Sequence, residues 1–177
     1  PEVRQPFKVA PEWMVLIDLG LAASADAVDV LETLFAAAFE QEIVSDGVIA
    51  SSEAQRQAFW NIREMIPEGN RRIGSISSHD VSLPLSVIPD FIDQAPAHLN
   101  ALGDIRINCF GHLGDGNLHY NVFPAKGRNR EDYNDIRNQV KKTVHDLVHS
   151  FGGSVSAEHG VGRLKVKDVE TYSDPVK

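Results

Sequence analysis

Residues 109–121 read Cys-Phe-Gly-His-Leu-Gly-Asp-Gly-Asn-Leu-His-Tyr-Asn, two histidines around a Gly-Asp-Gly-Asn centre with β-forming residues on both flanks. Asp115-Gly116 is a type I′ turn signal, so the stretch predicts a β-hairpin with a two-residue loop. In that register Gly114 faces Asn117, Leu113 faces Leu118 and His112 lies directly opposite His119, with cross-strand Cβ atoms about 5 Å apart. Alternation then places Phe110 and Asn121 on the histidine face and Cys109, Leu113, Leu118, Tyr120 and Val122 on the other. One face predicts a core and the other a site.

Working outward, Ile105 to Phe110 leads into the hairpin, and the Lys126-Gly127 turn leads out of it toward a helix from about residue 131 to 151. The apolar stripe of that helix is Ile136, Val140, Val144, Leu147, Val148 and Phe151, and Gly152-Gly153 ends it. Upstream, Ser86 to Asn100 predicts a helix with Pro89 in its first turn, and Ile76 to Leu85 alternates as a strand in which His79 reads as structural. Ser52-Glu53-Ala54-Gln55 fits a capping box, opening a helix that Pro67 is expected to stop before a polar turn at 69–74. Ile43 to Ala50 and Trp13 to Leu19 predict two further strands. Between them Ser24 is placed to cap an amphipathic helix ending near Glu40. Residues 1–12 carry three prolines, as an entry segment would. Alternating strands and helices permit a parallel α/β sheet, but the hairpin demands an antiparallel pair. The expected fold is α+β, a mainly antiparallel sheet with helices packed on one face.

A chain of 177 residues that is 42% hydrophobic can bury a core as one domain, or as one domain with an elaboration. Its formal charge of -8 argues against a nucleic-acid surface, which needs clustered Lys and Arg. No apolar run approaches the roughly 20 residues that span a bilayer, and no signal-peptide pattern is seen, so an aqueous compartment is expected. The single cysteine, Cys109, rules out an intramolecular disulfide framework and a Cys-x-x-Cys metal knuckle.

Four groups of residues can carry chemistry. His112 and His119 are either a metal pair on adjacent strands or a hydrogen-bonded histidine pair. Glu158-His159, in a glycine-flanked loop, can supply a carboxylate ligand and a nearby base. Arg63 can grip a carboxylate with its guanidinium fork or form a surface ion pair. His145-Asp146-Leu147-Val148-His149 resembles the H-E-x-x-H helix of zinc proteases with Asp in place of Glu, which keeps a metal-dependent hydrolase open beside a solvated helix face. The Gly-Asp-Gly-Asn segment lacks the endings of phosphate-binding loops and is better explained as a turn.

Gly-His-Leu-Gly-Asp-Gly-Asn-Leu-His at 111–119 and Ser-Ala-Glu-His-Gly-Val-Gly at 156–162, with Phe-Trp-Asn-Ile-Arg-Glu at 59–64 and His-Asp-Val-Ser-Leu-Pro at 79–84, resemble the C-terminal, substrate-side domain of FAD-linked oxidases. These are flavoenzymes of the vanillyl-alcohol oxidase superfamily. The branch is similar to D-2-hydroxyglutarate dehydrogenases, D-lactate dehydrogenases and the flavoproteins of glycolate oxidase. The resemblance implies that residues 1–177 form a ferredoxin-like, substrate-binding cap domain, with FAD held mainly by a separate N-terminal domain and a short C-terminal segment beyond Lys177. It implies His112, His119 and Glu158 as ligands of a divalent metal, zinc or else manganese, iron or cobalt, His159 as the base, and Arg63 and Asn121 as substrate contacts. A small D-2-hydroxy acid is the implied substrate, a homodimer a possible assembly, and the cytoplasm, or the mitochondrial matrix of a eukaryote, the implied compartment. Two positions depart from the 2-hydroxyglutarate pattern. Pro67 stands where a hydroxyl residue is expected and Ser78 where a lysine is, with His79 or Arg71 as candidate substitutes. A ligand-binding module without chemistry is the non-enzymatic alternative.

Overall fold

The computed structural model describes residues 3, 5–163 and 165–173, and the chain divides into two compact units, residues 1–69 and residues 70–177. The second unit holds a three-stranded antiparallel sheet of β1 (Ser77–Ser82), β2 (Ile105–His112) and β3 (Asn117–Pro124), in the order β1-β3-β2. Helices α3 (Ile88–Asn100) and α4 (Arg137–Ser150) connect and follow the strands. This β-α-β-β-α order is α+β, with a ferredoxin-like succession. An antiparallel bridge from Ser82 to Ser154 on the free edge of β1 stands where a fourth strand would lie.

The core lies between α3, α4 and one face of this sheet. Ile88, Phe91, Ala95 and Leu99 of α3 and Val140, Val144 and Val148 of α4 pack on Val81, Leu118, Tyr120 and Val122. Each of these larger side chains contributes about 1.5–3 kcal/mol by leaving water. The predicted α4 stripe is the one that is buried, but the helix is shorter at its N-terminus. Residues Arg130–Tyr133 form a separate 3₁₀ turn, capped reciprocally by Asn129 and Asp132, and Tyr133 turns inward to donate to the Asp104 carbonyl at 2.6 Å.

The hairpin is present with a different register. His112 pairs with Asn117, and His119 pairs with Phe110. The loop spans Leu113–Asp115 as a 3₁₀ turn plus Gly116 in the left-handed region at φ 72. A Cβ on Gly116 would also lie 2.0 Å from the Leu83 carbonyl oxygen, so the turn requires glycine there. Relative to the two-residue loop the pairing has slipped by two, which leaves every side chain on its expected face. Leu113 is the exception, because it sits in the turn and is exposed.

The first unit departs further from expectation. It contains α1 (Ala27–Glu40) and most of α2 (Glu53–Ile73), and the predicted strands at 13–19 and 43–50 are not strands. Trp13, Met14, Val15 and Ile17 are exposed. A strand needs an edge to pair with, and an apolar run without one gains no ladder. Asp26, not Ser24, caps α1. Ser52 does open α2, though the Gln55 side chain accepts from the Ser51 N–H rather than closing the box on Ser52. α2 runs through Pro67, which removes one internal bond, and ends at Gly74, whose φ is 79 and whose N–H donates to the Asn70 carbonyl. That left-handed glycine is the real stop, and the polar residues before it belong to the helix.

His79 lies on the core face of β1 and is buried beneath His145 of α4, the two rings meeting edge to face with centroids 5.1 Å apart. Burial first, then the facing His145, Lys141 and Lys165, hold His79 well below its ordinary 6.5. His145 is also lowered, by burial opposed by Asp168. The unfolded chain takes up these protons near the ordinary histidine value while the folded chain does not. Stability therefore falls as pH drops below about 6.5, by up to about 1.4 kcal/mol per pH unit for each histidine. We expect His79→Leu to flatten this acid-side loss in urea unfolding between about pH 6.5 and about pH 5; an unchanged slope would show that His79 is not its source.

Candidate metal and substrate site

The opposite face of the sheet is polar. Alternation turns Ser78, Asp80 and Ser82 of β1, Asn117, His119 and Asn121 of β3 and Asn108, Phe110 and His112 of β2 toward it. β3 is the middle strand, so His119 and Asn121 are flanked on both sides. Asn121 lies between Ser78 and Asn108 and donates its amide to the His119 carbonyl at 3.2 Å. The Phe110 ring packs on the His119 imidazole with centroids 4.8 Å apart.

The chain returns to this face after α4. Gly153 passes against the Ser82 carbonyl and the Val148 side chain, Ser154 pairs with Ser82, and Ala157 donates its N–H to the Asp80 carbonyl at 3.2 Å. Glu158 then arrives beside the histidines, with one carboxylate oxygen 3.6 Å from His112 Nε2 and the other 3.8 Å from His119 Nε2. One ligand atom from each of the three residues lies within 4.8 Å of the others. These spacings exceed a hydrogen bond but suit donors arranged around an ion, since zinc ligands at about 2.0–2.1 Å stand about 3.3 Å apart when tetrahedral. Two imidazoles and one carboxylate leave a coordination position open, as catalytic rather than structural sites do. The donor set therefore fits a divalent metal.

His159 stands next to this cluster. Its side chain is 70% exposed, its ring centroid is 6.0 Å from that of His119, and its Nδ1 is 3.4 Å from Asp80. Nε2 on the far side of the ring is thus available to a ligand that approaches from solvent. His119, at 15% exposure, is the inner member of the set, and Glu158 and His112, at 43% and 48%, form its rim.

Asp80 belongs to the 79–84 motif but is not among the candidates that the sequence marks out. Its carboxylate is almost fully buried and accepts from the Asn117 amide at 2.8 Å and from the Glu158 and His159 N–H groups at 3.0 and 2.7 Å. Burial alone raises its pKa. The His159 N–H, the Asn117 amide and the positive fields of His159 and Lys165 together outweigh it and hold the carboxyl below its ordinary value. The signal in the sequence is an acidic residue on the site face of a strand otherwise rich in serine.

Other candidates are placed elsewhere. His145 of the hydrolase reading is buried against His79, with Nδ1 3.7 Å from Asp168. Among the described residues it joins no set of three converging ligands, and neither does His149. The i, i+4 pair straddles the edge of the α4 core stripe, with His145 buried and His149 exposed, so the two imidazoles are not presented together on one solvent face. His79 faces the core and is no substitute for the expected lysine, whereas Ser78 does lie on the site face, its hydroxyl 2.7 Å from that of Ser75. Cys109 is on the core face, and burial pushes its thiol up to about 12, so it stays neutral. Arg63 and Pro67 lie on α2 within the first unit.

This α+β domain brings two imidazoles, a carboxylate and a solvent-facing histidine together on one sheet face, a donor set that could hold a metal ion. The chain belongs to the FAD linked oxidases, C-terminal domain, family, whose model matches residues 2–177. It is 33% identical to the mitochondrial D-2-hydroxyglutarate dehydrogenase of Arabidopsis thaliana over 98% of its length and 30% of that protein. It is equally 33% identical to the D-2-hydroxyglutarate dehydrogenase of Stutzerimonas stutzeri, over 97% of its length and 37% of the relative. A putative mitochondrial D-lactate dehydrogenase of Schizosaccharomyces pombe is 39% identical over 71% of the chain and 25% of that protein. The chain thus spans about a third of the length of the curated relatives it matches. Among the described residues no helix is long and apolar enough to cross a membrane.

The Asn117 amide is buried between the Asp80 carboxylate and the Val81 carbonyl. We expect Asn117→Ala, which removes one donor from each of these buried acceptors, to lower unfolding free energy by about 1–3 kcal/mol in denaturant titrations; a loss near zero would show that water replaces the amide there.

Proposed function

We propose that this chain is the substrate- and metal-binding part of an FAD-dependent dehydrogenase that oxidises a D-2-hydroxy acid to the 2-oxo acid. The observation that carries the reading is the convergence of His112, His119 and Glu158, with His159 beside them on the open face of the sheet. Family membership and the names of the relatives support it.

In this reading His112, His119 and Glu158 hold a divalent metal, for which nitrogen and oxygen donors favour zinc and admit manganese, iron or cobalt. When bound, the ion supplies Lewis-acid polarisation that lowers the pKa of the substrate hydroxyl. FAD, held mainly by a separate domain, supplies the acceptor for the hydride from the substrate Cα. His159 takes the hydroxyl proton, so that proton and hydride together account for the two hydrogens removed. Its backbone bond to Asp80 keeps the ring beside the cluster. Asn121 presents a side-chain amide to the substrate, and Arg63 carries the carboxylate-binding role implied by its motif. Ser78 offers a hydroxyl and no charge, which leaves lactate-like acids as well as 2-hydroxyglutarate as substrates to assay. An aqueous compartment, cytoplasmic or mitochondrial, accords with the mitochondrial names of the eukaryotic relatives.

Flavin bleaching by a panel of D-2-hydroxy acids, in the full-length protein, tests the class. His159→Ala is expected to slow flavin reduction by about 10²–10⁴-fold while metal content stays at the wild-type value; a native rate would remove the base assignment. Glu158→Ala is expected to lower the metal found by elemental analysis, and unchanged stoichiometry would sink the ligand set. A module without chemistry would bind metal and acid but leave the flavin oxidised.

A further inference from the structure

The Asp80 carboxylate reaches both halves of the site. Oδ2 accepts the N–H groups of two successive residues, Glu158 and His159, and the Asp80 main-chain carbonyl accepts that of Ala157 just before them. Three consecutive residues of the returning loop are therefore tied to one position on β1. Oδ1 accepts the Asn117 amide and lies 3.7 Å from Nδ1 of His119, its cross-strand neighbour. Nε2 of the same ring is the nitrogen that faces Glu158.

A buried carboxylate is costly unless its oxygens are satisfied by donors. Here the donors are the backbone of the loop and the amide beside the hairpin. A histidine that binds a metal through Nε2 carries its proton on Nδ1, and the charge of a carboxylate on the Nδ1 side, here beyond direct hydrogen-bond distance, favours this tautomer. We propose that Asp80 is the positioning residue of this site: it holds Glu158 and His159 in place through their N–H groups and sets His119 with Nε2 toward Glu158. The proposal rests on the metal reading above and adds to it a residue that orders the ligands without itself being one of them.

The test is a zinc titration of metal-stripped full-length protein against a chromophoric chelator, for wild type, Asp80→Asn and His79→Leu. His79 is adjacent in β1 but faces the core, so its variant reports what disturbing the strand does by itself. Asp80→Asn is expected to lower zinc affinity about 10–100-fold, with His79→Leu within about twofold of wild type. Equal affinity of Asp80→Asn and wild type overturns the positioning role and leaves the metal site standing. An equal loss in both variants also overturns it, since the effect would then be structural. Wild-type protein that binds neither zinc nor manganese, iron or cobalt in the same titration overturns the metal reading itself. Should Asp80→Asn fail to fold, hydrogen exchange on metal-free wild type decides: slow exchange at the Glu158 and His159 amides supports the proposal, and exchange at the rate of a free loop overturns it.

Discussion

A buried carboxylate accepting two backbone N–H groups, Asp80 to Glu158 and His159, joins segments 78 and 79 residues apart. It acts together with the Ser82 to Ser154 bridge, the Ala157 bond and the buried Val155 side chain to hold the glycine-flanked loop against the sheet. With it, a carboxylate and an imidazole carried by an exposed loop stand at fixed distances from two imidazoles carried by strands. The buried charge is offset by the donors that it organises.

The sheet makes this possible by keeping its two faces chemically distinct. β3 is hydrogen-bonded along both edges, so its side chains alternate without freedom to slip. Leu118, Tyr120 and Val122 go to the core, and Asn117, His119 and Asn121 go to the site. The apolar stripe of α4 and the buried face of α3 cover the first set. Asn117 and Asn121 of the polar set are themselves buried, and the exposed rim of that face is formed by His112, Glu158 and His159. α4 is thus a core element whose two histidines are explained by packing, one under the sheet with His79 and one near Tyr172.

The register of the hairpin decides how the two histidines meet. Asp115-Gly116 signals a two-residue loop that would set His112 opposite His119, whereas the 3₁₀ turn at Leu113–Asp115 sets them diagonally, with ring centroids 6.0 Å apart. A diagonal pair leaves room between the rings for the Glu158 carboxylate. Directly opposed rings would stand closer to one another, as a hydrogen-bonded histidine pair requires.

What the sequence by itself determined is the set of periodic features: the alternation of β1, β2 and β3, the apolar stripe of α4, the turn glycines, and the residue types able to bind a metal and move a proton. Each of these depends on neighbours two to four positions away and is written locally. The first unit shows the limit of that information, because apolar runs at 13–19 and 43–50 have strand-like composition, yet among the described residues of that unit no strand is formed. Pro67 likewise has the character of a stop, yet the left-handed Gly74 is the end of α2. Only the tertiary structure decided that His145 belongs to the core, that His112 and His119 stand diagonally, and that Glu158 and His159 close onto the hairpin. That closure runs through a contact between a strand carboxylate and loop amides, and no local periodicity encodes a hydrogen bond across so long a stretch of chain.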